Sequence, residues 1–280
     1  MKFPRLFGSA PAKAAAFDGP TRFMGDQSAA MNTYRQAAEA YTTGLAPLEA
    51  AGLKQKPFDW SARHPAFFEL MYQMLNAIQA LAMPANGRVI EVGSGAGWAT
   101  GYLMGLGYKV RCVEPSAAMI AAARENLGEF AARHAFTMLL PNVEFERAMF
   151  EDTATADGWA DGLLLFEALH HLVDERRAAA QALRVLRPGG CLVIAGEFNW
   201  RPGDAGQEAI LTAEMDRFGT LESPFNDRYL EQVLREAGFV DIAFHHGVNG
   251  FVPVERETAT VAEVGAFPAT RFNNVSARRP

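Results

Sequence analysis

Residues 88–100 constrain this chain more than any other stretch. Val89, Ile90 and Val92 form an apolar run that reads as a buried strand of a parallel sheet. It breaks into three glycines at alternating positions, Gly93, Gly95 and Gly97, with Ser94 between the first two. A helical pattern follows from Trp98 to about Leu106. A strand, a glycine turn and a helix N-terminus together let backbone approach a nucleotide-like ligand closely.

The spacing narrows the ligand. A dinucleotide fingerprint, G-x-G-x-x-G, requires glycine where Trp98 stands. A phosphate loop of the G-x-x-x-x-G-K-[ST] type requires a Lys-Ser or Lys-Thr pair that Gly97 lacks. What stands here is E-x-G-x-G-x-G, led by Glu91. A second strand, Tyr108 to Val113, ends at Glu114-Pro115-Ser116, and Glu114 lies 17 residues beyond Gly97. Rossmann-like folds place an acid on ribose hydroxyls at about that distance, roughly 20 residues. One carboxylate can accept from both hydroxyls of a cis-diol.

Two more segments fall in register. The apolar strand Asp161–Phe166 leads into Glu167-Ala168-Leu169-His170-His171-Leu172. Leu183 to Leu186, a helix end, runs into Arg187-Pro188-Gly189-Gly190, followed by the strand Cys191–Ala195. Taken together, residues 84–246 resemble the class I S-adenosylmethionine (SAM)-dependent methyltransferases, in particular their small-molecule, type 11 branch. The resemblance implies an α/β fold. Its Rossmann-like sheet has seven mostly parallel strands, an antiparallel last strand, helices on both faces and an N-terminal helical cap. It implies SAM as cofactor, S-adenosylhomocysteine as product, and a methyl group moved to O, N or C of a small organic acceptor. The alternatives are a SAM-fold binding or regulatory protein that transfers no methyl, and a methyltransferase for a macromolecule.

The chemistry of SAM distributes roles. It has no pyrophosphate but carries a sulfonium and an ammonium, for which a carboxylate at a strand end is useful. Gly93, Ser94, Gly95 and Gly97 are expected around its methionine part. Glu91 is expected to hold the ammonium, directly or through water; helix capping is the alternative role. Glu114 and Pro115 are expected at the ribose, and Met119, Phe150 and Phe166 elsewhere along the cofactor. The family often has Gly-Asp-Ala after the third strand, whereas Ala148-Met149-Phe150 stands here. The adenine amine then falls to Glu151, to Asp152 or to backbone at Phe150, with Glu151 favoured.

Catalysis needs donor and acceptor held in line, and a base only if the acceptor must lose a proton. His170 and His171 are the candidates, His170 preferred; alternatively they only orient their loop. Glu197, Asn199 and Trp200, just past the fifth strand, are expected to line the acceptor pocket. Tyr34 and Tyr41, one heptad apart on a cap helix, share a face and are expected at SAM or acceptor; packing in the core is the alternative. His245 and His246 alternate across a late strand and read as structural. Cys112 and Cys191 do not have the spacing of metal ligands, and no metal is expected.

Length and composition set the frame. The chain has 280 residues, 49% hydrophobic, with a formal charge of −6, which argues against a primary nucleic-acid binder. No apolar run reaches the ~18 residues of a membrane span, and the N-terminus has no signal-type apolar region. Cys112 and Cys191 read as small buried hydrophobes in a reducing cytoplasm. A cytoplasmic monomer or homodimer is the expected state. Residues 1–83 are expected as a flexible arm followed by a cap of two helical blocks, Ser28–Ala51 and Pro65–Met83. Residues 84–266 form the SAM-binding domain, with an inserted helix near 203–218, a helix over Asn226–Ala237 stopped by Gly238, and a last strand near Thr258–Val264. Residues 267–280 are expected as a mobile tail.

Overall fold

The computed structural model describes residues 18–55, 67–198, 200–246 and 272–280. Its centre is a seven-stranded sheet in the order β3-β2-β1-β4-β5-β7-β6. The strands are β1 (Arg88–Val92), β2 (Lys109–Val113), β3 (Val143–Glu146), β4 (Ala160–Phe166), β5 (Leu186–Phe198), β6 (Val240–His246) and β7 (Phe272–Arg278). The first five are parallel, and β7 runs antiparallel between β5 and β6. The helices are α1 (Met31–Glu39), α2 (Pro47–Gln55), α3 (Phe67–Ala80), α4 (Trp98–Gly105), α5 (Ala117–Arg133), α6 (Glu175–Val185), α7 (Ala205–Phe218) and α8 (Asp227–Ala237).

Strand alternation divides the core in two. Ile90, Leu163, Leu165 and Ile194 pack against α6 and α8. Val89, Leu164 and Val193 pack against α3 and α4 on the other face. The chain leaves β1 toward β2 and β3, then returns to place β4 on the other side of β1. The crevice at the carboxyl ends of β1 and β4 is therefore the topological switch point, where ligands bind in open α/β sheets.

The local structure follows from the sequence at several points. The helices begin where their caps stand: Ser116 accepts from Met119 N, Asp174 from Arg177 N, and Asn226 from Arg228 N. The inserted helix α7 and the helix ended by left-handed Gly238 are present. Both cysteines are buried and unpaired with each other. Among the described residues no helix is long and apolar enough to cross a membrane.

Other expectations are corrected. The tail is not mobile over its described part: β7 occupies an interior position in the sheet, with Val275 and Ala277 buried. Its polar sequence hid it, because buried Asn274 finds a partner only across the sheet, its Oδ1 accepting from Gly196 N at 3.3 Å. The strand expected near Thr258–Val264 lies outside the described residues. The Leu-Arg-Pro-Gly-Gly stretch is not a free turn. Leu186 already pairs with Ala160, and the strand register shifts before Cys191 pairs with Gly162.

The first helical block is broken into α1 and α2 by a turn in which Thr42 is left-handed (φ 74°), and Pro47 opens α2. The second block, α3, is not part of the cap; Leu70, Met74 and Ala77 bury it against the sheet. The arm is not flexible where it is described. Arg22, 2% exposed, is clamped between α6 and the segment before α8, and Phe23 N and Asn226 N close backbone bonds across it.

Candidate active site

A cavity of about 240 Å³ opens at the switch point, far above the roughly 10–15 Å³ that one water needs. The glycine loop forms one side. Tyr34, Ala38 and Tyr41 from the α1 region and Leu53 from α2 form the roof. Both cap tyrosines thus line the cavity. The cap is tied down by ion pairs of Asp152 with Arg35 and Arg177 and of Glu49 with Arg217, and by the edge-on packing of Tyr41 on Phe218 at 5.9 Å.

Gly93, Ser94 and Gly95 line the cavity, and all three loop glycines have positive φ. Gly97 does not line it. It caps α4, and a Cβ there would sit 3.1 Å from the Ala123 Cβ, so its role is helix packing. Glu114 lines the wall at the end of β2. Its Oε2 accepts from Gly95 N at 3.0 Å and its Oε1 from Ser116 N at 2.9 Å. Each oxygen keeps a lone pair, and the carboxylate is oriented by the glycine loop itself. Pro115, Met119, Phe150 and Phe166 line the same space, with Trp98 edge-on to Phe166 at 5.3 Å.

Glu151, not Asp152, reaches the cavity. Its Oε1 accepts from Val173 N at 2.8 Å and Asp174 N at 3.3 Å. Its Oε2 is fully buried with no partner among the described residues, and burial raises its pKa. Ser94 Oγ is likewise buried and unpartnered on this wall. Two orphaned buried polar atoms beside a shaped cavity fit a polar organic ligand such as SAM.

Glu91 departs from expectation. It is 3% exposed, does not line the cavity, and accepts from Thr100 Oγ1 at 2.5 Å. Burial, reinforced by the Glu114 charge, pushes its pKa up to about 8, outweighing the Thr100 bond. Alternation along β1 turns its side chain toward α4, away from the crevice.

The histidines divide differently from the reading in which His170 is the base. His170 is 4% exposed and does not line the cavity. Its Nδ1 lies 2.7 Å from Glu197 Oε2 and its Nε2 3.5 Å from Glu222 Oε2. Burial opposes its charge, but Glu197, Glu222 and Glu167 prevail and push its pKa up to about 9. It is a structural imidazolium at neutral pH. His171 is the one on the cavity wall, its side chain 43% exposed. Its Nδ1 lies 2.7 Å from Leu221 O, which only accepts, so Nδ1 carries the proton and Nε2 is basic. Loss of hydration lowers its pKa; Glu222 opposes this, and the neighbouring His170, 4.1 Å between ring centroids, adds to the lowering.

Glu197 does not line the cavity. Its Oε1 accepts from Ala168 N at 2.9 Å and Leu169 N at 2.8 Å while Oε2 holds His170, so it braces the histidine loop from behind. Trp200 is 7% exposed and packs edge-on against Phe23 at 6.4 Å. Asn199 and the side chains of His245 and His246 lie outside the described residues. The cavity also includes Glu167, Thr220 and Leu221, with Glu222 behind them. The loop after α7 carries no local signal of this role. Glu167, an acid at the end of a central strand, carried one.

Residues 90–194 match the family model described as "Methyltransferase domain". The O-methyltransferase cnsE of Penicillium expansum is 32% identical over 158 residues, 56% of this chain and 53% of that protein. The SAM-dependent Diels-Alderase iccD of Talaromyces variabilis is 28% identical over 183 residues, 63% of this chain and 61% of that protein. The chain thus spans about half to three-fifths of the length of these relatives. In fold it is similar to geranyl diphosphate C-methyltransferase from Streptomyces coelicolor (TM-score 0.60, 15% identity, 88% of this chain and 98% of that one). The crevice and its glycine loop define a class I, Rossmann-like methyltransferase domain. Residues 90–194 thus carry a methyltransferase domain, and relatives that match the chain include SAM-dependent enzymes.

Proposed function

We propose that this chain transfers a methyl group from SAM to a small organic acceptor held beneath the α1–α2 cap. The observation that carries this is one cavity with a nucleotide-type glycine loop on one side and His171, Tyr34 and Tyr41 on the other. SAM, when bound, supplies a methyl already activated by its sulfonium. Glu114 would accept from the ribose hydroxyls and Glu151 Oε2 from the adenine amine. The cap excludes water, which would compete for the methyl. His171 Nε2 takes the acceptor's proton where the acceptor is a hydroxyl or an amine. Its lowered pKa keeps it basic at neutral pH. The acceptor is set against the aromatic roof, and the methyl lands on the O, N or C that lies in line with the breaking S–CH3 bond, leaving S-adenosylhomocysteine. Two buried free thiols fit a reducing, cytoplasmic setting, as a monomer or homodimer.

The test is incubation with methyl-labelled SAM and panels of phenols, carboxylic acids and amines, read by mass spectrometry. His171→Ala should lower turnover about 10²–10⁴-fold while S-adenosylhomocysteine affinity stays within about twofold. Label appearing on no small molecule would overturn the reading. The similarity to a SAM-dependent Diels-Alderase supports a second one, in which SAM is bound and the substrate is rearranged without gaining a methyl. A product of unchanged mass would favour it.

A further inference from the structure

The loop after α7 is fitted to the histidine pair residue by residue. Leu221 O accepts from His171 Nδ1 at 2.7 Å, and Ser223 N donates to His170 O at 3.0 Å. Between them Glu222, 6% exposed, places Oε1 3.5 Å from His171 Nδ1 and Oε2 3.5 Å from His170 Nε2. Thr220 Oγ1 donates to Glu222 Oε1 at 3.2 Å and steadies the carboxylate between the two rings. On the far side of His170, Glu197 holds Nδ1 at 2.7 Å. The row is Glu197, His170, Glu222, His171, and of these four His171 alone lines the cavity.

Charge decides what this row does. Two carboxylates enclose one imidazolium, so the row carries one negative charge in excess while His171 is neutral. A proton taken up by His171 removes the excess. An uncompensated charge away from water is costly, and a nearby opposite charge favours the protonated ring. The groups around the row leave the excess standing. Arg22 is paired with Glu175, and Glu167 at the end of β4 adds to the negative field at His170. Tyr41 on the roof stays protonated, its pKa pushed up to about 12 by burial first and by Glu222 next.

We propose that Glu222 is the positioning residue of the base: with Leu221 O it fixes the His171 ring, and it balances the imidazolium that forms as the acceptor loses its proton. This rests on the reading of His171 as the base. For a hydroxyl acceptor the O–H bond breaks and its proton joins His171 Nε2. The electron pair left on oxygen attacks the methyl, whose bond to sulfur breaks to leave S-adenosylhomocysteine. His171, its side chain 43% exposed, then passes the proton to water. The loop after α7 thus completes a base that the end of β4 begins.

The experiment is NMR titration of histidine-labelled wild type, Glu222→Gln and Glu222→Asp, with and without S-adenosylhomocysteine, with His171→Gln to assign the signal. Neutral His171 should carry its proton on Nδ1 in wild type. Glu222→Gln is isosteric and can still accept from Thr220. It should lower the pH at which His171 titrates by about one pH unit, and Glu222→Asp should recover most of the difference. With methyl-labelled SAM at about pH 8.5, Glu222→Gln should lower kcat about tenfold for a phenol still protonated at that pH. A nitrophenol already ionised there should be methylated within about twofold of the wild-type rate, with KM unchanged for both phenols. Three results would each overturn the proposal: a proton on Nε2 of neutral His171, an unmoved titration in folded Glu222→Gln, or equal slowing of both phenols. Equal rates of wild type and His171→Ala on the protonated phenol would overturn the base reading beneath it.

Discussion

Arg22 offers the sharpest test of how the active-site floor is built. Its guanidinium donates from Nε to Ser223 Oγ at 2.9 Å, from Nη1 to Glu175 Oε2 at 3.2 Å, and from Nη2 to Ser223 O at 3.2 Å and His170 O at 3.4 Å. It also lies 4.1 Å from the centroid of the Phe225 ring. Burial draws its pKa below the ordinary value and Glu175 works against that, so the pair survives as an ion pair. Arg22→Ala removes all of these contacts and leaves a nearly buried Glu175 carboxylate with the Tyr229 hydroxyl bond alone of the pair. Breaking a buried ion pair on one side costs about 3–5 kcal/mol. At about 2–4 °C per kcal/mol for a chain near this size, the melting temperature should fall by about 10 °C. Urea unfolding at pH 7 measures the loss directly. Arg22→Met with Glu175→Leu should recover most of it, because the stranded charge is then gone. Turnover should stay low in both variants, since the His170 carbonyl loses a donor that steadies its loop. A loss under about 1 kcal/mol for Arg22→Ala would refute the clamp and return residues 18–25 to a loose arm.

Three further outcomes follow from the same geometry. Glu114→Gln should weaken S-adenosylhomocysteine about 10- to 100-fold in calorimetry, since one charge-assisted bond is worth about 1.5–3 kcal/mol. Its effect on an analogue without the ribose diol should be much smaller, and equal losses would remove Glu114 from the ribose. Ligand-free stability should fall as pH rises from about 5 to 9. Glu91, at about 8 when folded and 4.5 when unfolded, favours the folded state only while protonated. At about 1.4 kcal/mol per tenfold the Glu91 effect is bounded near 5 kcal/mol, and Glu91→Gln should flatten the curve between about pH 4.5 and 8. His170, raised to about 9 from 6.5, adds stability below about 6.5 that is lost as pH passes 9. Glu197→Gln should erase that second segment in denaturant titrations, and an unchanged curve would mean that His170 is neutral when folded.

The glycine loop, the acid after the second strand and the alternation of apolar strands with helices were legible in the sequence. Each is a local pattern whose chemistry is carried by neighbours within a few residues. That is why Gly93, Gly95 and Glu114 come together at the cavity. The identity of the histidine on the cavity wall was not legible. His170 and His171 are adjacent, and only the packing of Glu197 behind one and Leu221 O beside the other separates a buried histidine from one on the cavity wall. Glu91 was misplaced for a related reason. Spacing locates a residue on a strand, whereas the face its side chain takes is decided by the helix it meets, here α4 through Thr100. The strand at 272–278 and the clamp at Arg22 depend wholly on contacts with distant segments. Polar residues in such places read as exposed until their hydrogen-bond partners, 78 positions away for Asn274 and 201 for Arg22, are brought alongside. Local sequence determined the cofactor loop; long-range closure of the sheet decided which acids and which histidine face it.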